Sequence, residues 1–110
     1  MTNGSHVTLM LEARKMPLLP GARRLAEQGY LTGGCGRNRD YLKDKVVIDP
    51  GVSGPLAEIA LDPQTSGGLL IALPLSEAAA LLDDLHANGV EAATIVGHAT
   101  PLQDVSVRLV

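Results

Sequence analysis

The chain has 110 residues, 45% of them apolar, and its nine Lys and Arg against twelve Asp and Glu leave a formal charge of −3. That balance gives no general attraction to nucleic acid or to an anionic membrane, and with no Phe, no Trp and only Tyr30 and Tyr41 the chain lacks stacking platforms for single-stranded nucleic acid. No apolar run nears the ~20 residues of a membrane span, no charged-then-apolar leader is visible, and the single Cys35 cannot form an internal disulfide, so a reducing, cytoplasmic setting is expected.

At this length the expectation is one domain over residues 1–110, burying roughly two-thirds of its unfolded surface in a Leu, Val, Ile and Ala core. Met1 to Ser5 are polar and are given no element. From His6 the pattern alternates, with Val7, Leu9 and Leu11 on one face and Thr8, Met10 and Glu12 on the other, which predicts a half-buried strand. Met16 to Pro20 is a proline-bounded connector. Gly21 to Gln28 reads as a short helix with Ala22, Leu25 and Ala26 on its inner face and Gly29 as its stop. Leu31 to Lys45 is rich in glycine and charge and reads as a loop, with one helical turn at most around Asp40 to Leu42. Val46 to Ile48 is a short strand closed by Asp49-Pro50-Gly51. Pro55 suits the first turn of a helix whose inner face would be Leu56, Ile59 and Ala60.

Leu61 to Pro74 is a polar turn leading into a run of apolar residues. Pro63 biases Asp62 toward extended backbone, Thr65 and Ser66 bring hydroxyls, and Gly67-Gly68 permit close approach or positive φ. Leu69 to Leu73 then predicts a short strand covered on both faces. The turn is read either as a simple strand entry or as an anion-binding concavity of successive amides. Ser76 would cap a helix in which Ala78, Leu81, Leu82 and Leu85 share one face, closed by Asn88-Gly89. Ala93 to Ala99, broken at Gly97, and Val105 to Leu109 are the last predicted strands. This order argues for an α+β fold, a mixed sheet layered with helices.

Asp62-Pro63-Gln64-Thr65-Ser66-Gly67-Gly68-Leu69-Leu70 closely resembles a motif of the selenophosphate synthetase family. Two further stretches resemble that family in the same order: Met16-Pro17-Leu18-Leu19-Pro20-Gly21-Ala22 with Leu25 to Tyr30, and Gly33-Gly34 with Arg37-Asn38-Arg39. The resemblance implies an α+β domain of the type found at the C-terminus of aminoimidazole ribonucleotide synthetase. It also implies a parent enzyme that makes selenophosphate from selenide, ATP and water, using magnesium and releasing AMP and phosphate. The family's catalytic Cys or selenocysteine, its lysine and most of its metal-binding aspartates belong to the N-terminal domain, through which the family chiefly dimerises. The chain is therefore expected to be a C-terminal-domain fragment, inactive alone, whose partner is that N-terminal domain, with no tightly bound cofactor of its own.

No residue is expected to be catalytic. The loop Asp62, Gln64, Thr65, Ser66, Gly67 and Gly68 is expected near the nucleotide or the domain interface, and Arg37, Asn38 and Arg39 near phosphate, since arginines beside a glycine-rich bend can hold it bidentately; a hydrated surface loop explains them equally well. Cys35 stands where the family would carry a small hydroxyl residue, and an inert loop thiol is the expectation. His6, His86 and His98 match no metal-ligand spacing, His86 suits the C-terminal dipole of its helix, and Asp83-Asp84 suit a solvated helix face. Two other readings stand: a related ATP-dependent enzyme such as thiamine-monophosphate kinase or a hydrogenase-maturation factor, against which the residues Asp62 to Leu70 argue, and a non-catalytic binding module.

Overall fold

The computed structural model describes residues 1–64 and 66–110, with Asn3 through its backbone only. By its contacts the chain falls into two compact units, one of Met1–Pro63 with Val96–Val110, the other of Gln64–Ile95.

The first unit contains a mixed four-stranded sheet and four helices, an α+β arrangement. A short helix α1 (Thr2–Ser5) occupies the segment expected to have no element, and His6 leaves it with φ 50°, a left-handed turn into β1 (Val7–Leu11). β1 pairs antiparallel with β3 (Gly97–Pro101), Leu9 opposite Ala99, and parallel with β4 (Val107–Leu109), Leu9 opposite Val107. On its other side β4 pairs parallel with β2 (Val46–Ile48), Val46 opposite Val107, so the order is β2-β4-β1-β3. Among the described residues these four strands are the only ones.

The simple alternation expected in β1 is corrected at Thr8, which is fully buried beside Leu9. Its hydroxyl donates to the Val105 carbonyl at 2.5 Å and accepts from the Gln103 amide at 2.9 Å, so the hydroxyl is satisfied inside the fold. Between β1 and α2 (Ala22–Glu27) lies a 3-10 turn, Ala13–Lys15. Ala26 is the buried residue of α2, whereas Leu25 is exposed, and Gly29 leaves the helix with φ 84°. The central apolar cluster joins Ala13, Leu109 of β4, and Leu56 and Ala57 of α4 (Gly54–Leu61), with Leu11, Met16, Leu18 and Val52 packed around it. Pro55 sits in the first turn of α4 as expected, but the inner face is Leu56, Ala57 and Leu61, with Ala60 exposed.

The largest correction is α3 (Gly33–Leu42), ten residues of helix where the sequence reads as loop. Three glycines and the charged run from Arg37 carry little amphipathic signal; the helix gains its hold from tertiary contacts of Gly34, Cys35 and Asn38. A second correction is β3, which starts at Gly97 instead of being broken there. A Cβ at Gly97 would strike the Met10 carbonyl, so the residue that looks like an interruption is what lets the two backbones pair.

The second unit is built on α5 (Leu75–Ala87). Its half-buried stripe is Ala78, Leu81, Leu82 and Leu85, as the spacing predicts, and Asp83 and Asp84 are exposed. The helix begins one residue before the expected Ser76 cap: Pro74 is the N-cap, without a side-chain hydrogen bond. Asn88 donates its amide to the Asp84 and Leu85 carbonyls and Gly89 turns the chain with φ 83°. The His86 ring nitrogen Nε2 lies 2.9 Å from the Ala93 carbonyl, a more specific engagement than the helix dipole alone. The strand expected at Leu69 to Leu73 is absent: the run is irregular, and Leu69 is 91% exposed. Apolar composition favours a covered strand, but burial needs a partner ladder, and these residues join none.

Candidate functional site

Helix α4 ends at Leu61, and its last carbonyls have no partner within the helix. Asp62 follows in extended conformation (φ −68°, ψ 130°), as expected of a residue before proline, so no glycine-type C-cap closes the end. The Asn38 side chain of α3 supplies the missing donor, reaching the Leu61 carbonyl at 2.7 Å.

Asp62 is fixed by its side chain. Oδ1 accepts from the Thr32 hydroxyl at 2.5 Å and from the Cys35 thiol at 3.2 Å. Thr32 is the N-cap residue of α3, yet its hydroxyl caps nothing in its own helix and is turned to Asp62 instead. Cys35 is 2% exposed; its sulfur also lies 3.4 Å from the Thr32 hydroxyl and 3.6 Å from the Glu58 carbonyl. The expectation of a loop thiol is thus corrected: Cys35 sits in the first turn of a helix, enclosed, with its S–H turned toward a carboxylate. Pro63 completes the junction. Its ring lies so close over Gly34 that a Cβ there would overlap it.

Of the residues expected near phosphate, Arg37, Asn38 and Arg39 lie along α3, not on a glycine-rich bend, and they are already divided in use. Asn38 holds Leu61. Arg39 pairs with Glu58 of α4. Arg37 is exposed and, among the described residues, has no ion-pair or hydrogen-bond partner, which leaves its guanidinium available. Of the expected loop, Asp62 belongs to the junction just described; Gln64, Ser66, Gly67 and Gly68 belong to the second unit and are exposed. Thr65 lies outside the described residues. Gly67 and Gly68 do not use the left-handed region, which among the described glycines is occupied by Gly21, Gly29 and Gly89. A Cβ at Gly67 would meet Gln64 Cβ at 3.0 Å, so the glycine serves a tight approach.

Among the described residues, no three His, Cys, Asp or Glu side chains come together as metal ligands, and no helix is long and apolar enough to cross a membrane. A cavity of about 430 Å³ opens elsewhere on the first unit, lined by Glu12, Arg14, Asp49 and Val52 among others. Its carboxylates are engaged, Glu12 with Lys15 and Asp49 with Arg108. Sequence reasoning missed Thr32 and Gly34, and it missed that Cys35 and Asp62 are neighbours; the only local trace was the unusual Thr-Gly-Gly-Cys-Gly run.

No protein-family model matches the chain. Its relatives, however, agree. It is 36% identical to selenide, water dikinase 2 of Peptoclostridium acidaminophilum over 110 residues, which is 100% of this chain and 31% of that protein. It is 39% identical to the selenide, water dikinase of Agathobacter rectalis over 92% of this chain and 29% of the relative. With that of Caldanaerobacter subterraneus the identity is 38%, over 97% of this chain and 31% of the relative. The chain spans about three-tenths of the length of the curated relatives it matches. By similarity along its whole length, then, the chain belongs to the selenide, water dikinase (selenophosphate synthetase) family, of which it represents one segment.

Proposed function

We propose that the chain is the C-terminal domain of a selenophosphate synthetase, the enzyme that converts selenide, ATP and water to selenophosphate, AMP and phosphate. The observation that carries this reading is the similarity to selenide, water dikinases over the whole of the chain. The parent enzyme binds ATP and magnesium and works as a homodimer in the cytoplasm; this chain contributes the Asp62–Gly68 loop beside the nucleotide or the domain interface, and Arg37 toward phosphate. The described side chains offer no metal-ligand set, so no step involving magnesium is assigned to them. What they do is mechanical and electrostatic. Asp62 is fixed by two donors, and a free guanidinium at Arg37 can neutralise phosphate charge without giving up an ion pair.

The reading assigns turnover to the assembled enzyme. The chain alone, given ATP, magnesium and selenide, releases no AMP above background, and release appears when the remainder of a related dikinase, expressed separately, is added. AMP release by the chain alone at about 1 per second, within the ordinary range of enzymes, would overturn the proposal, as would failure of a demonstrably folded mixture to release any.

A further inference from the structure

We propose that Asn38 is a positioning residue, whose side-chain amide holds the Leu61–Pro63 corner against α3 and so sets where the Asp62–Gly68 loop begins. The inference rests on the reading above that this loop serves the reaction.

Three consecutive residues are held by three different features of one helix and its cap. Leu61 is held through its carbonyl by Asn38, Asp62 through its carboxylate by Thr32 and Cys35, and Pro63 by the space that Gly34 leaves open. Gly34 and Asn38 are four residues apart on α3, hence on one face, one turn above the other. A helix C-terminus often closes on glycine in the left-handed region. Here the Asp62 amide bonds back to Ile59 at 3.1 Å and the Leu61 carbonyl is taken from outside, by a side chain 23 residues earlier. The capping interaction is therefore tertiary. It ties the Leu61–Pro63 corner to α3, and α3 also carries Arg37, which has no partner among the described residues. The Arg39–Glu58 pair joins the two helices at the surface, so removing Asn38 leaves the helices together while the corner is released.

The single cysteine supplies the reporter, because Cys35 is enclosed beside the corner that Asn38 holds. The 110-residue chain is compared with Asn38→Leu, which keeps the size without the hydrogen bond, and Asn38→Asp, which keeps the shape but sets an acceptor against the Leu61 carbonyl. The thiol is titrated with an aryl disulfide reagent at several urea concentrations, alongside thermal melting. Release of the corner appears as at least tenfold faster modification in both variants, with a urea dependence well below that of global unfolding. Unchanged rates, or acceleration that follows global unfolding, would overturn the inference. The same variants, assayed with the added remainder of the enzyme, separate it from the reading beneath it. Faster thiol modification with undiminished AMP release would leave the positioning role standing and remove the loop from the reaction. Reduced AMP release without faster modification would do the reverse.

Discussion

Thr8 has no solvent exposure, and both hydrogen bonds of its hydroxyl cross to the far end of the sequence, one of them spanning 97 residues. Local alternation assigned it to the outer face of a strand, since nothing near it in sequence betrays those partners. Thr8→Val strands the Val105 carbonyl and the Gln103 amide; at about 1–3 kcal/mol for an unsatisfied buried group, urea unfolding should show a loss of about 2 kcal/mol. Thr8→Ser keeps the hydroxyl and should cost less than half as much. The arginines divide in the same way. Arg39 is committed to Glu58 and Arg37 is not, a distinction invisible in the string Arg-Asn-Arg. In the reassembled enzyme Arg37→Ala should raise the KM for ATP at least threefold without changing the melting temperature. Arg39→Ala should leave KM alone and lower stability by about 1–3 kcal/mol, because the Glu58 side chain is largely enclosed and would lose its partner. Equal effects on KM would show that the ion pair does not decide which arginine is free.

At the level of elements, those with a local signature were legible: β2 at Val46–Ile48, α4 behind its first-turn Pro55, and the stripe of α5. Those held by distant partners were not. The sequence of α3 reads as loop because Gly33, Gly34 and Gly36 lower helix propensity by about 1 kcal/mol each relative to Ala, and what offsets them lies some thirty residues away at Asp62 and Pro63. Gly97 reads as a break in a strand for the same reason, since the Met10 carbonyl it accommodates is remote. Gly97→Ala therefore tests the sheet directly. The added methyl meets backbone, which cannot step aside as a flexible side chain would, so the expected cost is at the upper end of the 1–3 kcal/mol typical of overpacking, about 3 kcal/mol. Hydrogen exchange should quicken first in the amides that pair β1 with β3; exchange and stability equal to the parent chain would remove the steric argument.

For the molecule as a whole, the clearest departure from expectation is the surface it leaves apolar. Leu69, Leu70, Ile71 and Leu75 are all exposed, Leu69 and Leu75 almost entirely, and no charged residue interrupts the sequence from Ser66 to Ser76. Composition could say that this run suits a covered strand, but not whether cover is present. Contiguous exposed apolar residues without an interrupting charge favour self-association. Leu69→Lys with Leu75→Lys should lower the sedimentation-derived weight-average mass at high concentration, while stability stays within about 0.5 kcal/mol, as for exposed positions in general. A concentration-independent parent chain would show that the run does not act as a contact. The position of β4 carries a consequence of another kind. Leu9 and Val46 both find their partner in Val107, and β2 reaches the sheet only through β4. A ribosome adding about 5–20 residues per second delivers that partner on the order of ten seconds after the first strand has emerged. By then β3 has already emerged to pair with β1, but β2 still has no ladder to join, so a chain released short of Val107 would leave that early strand open for proteases to find.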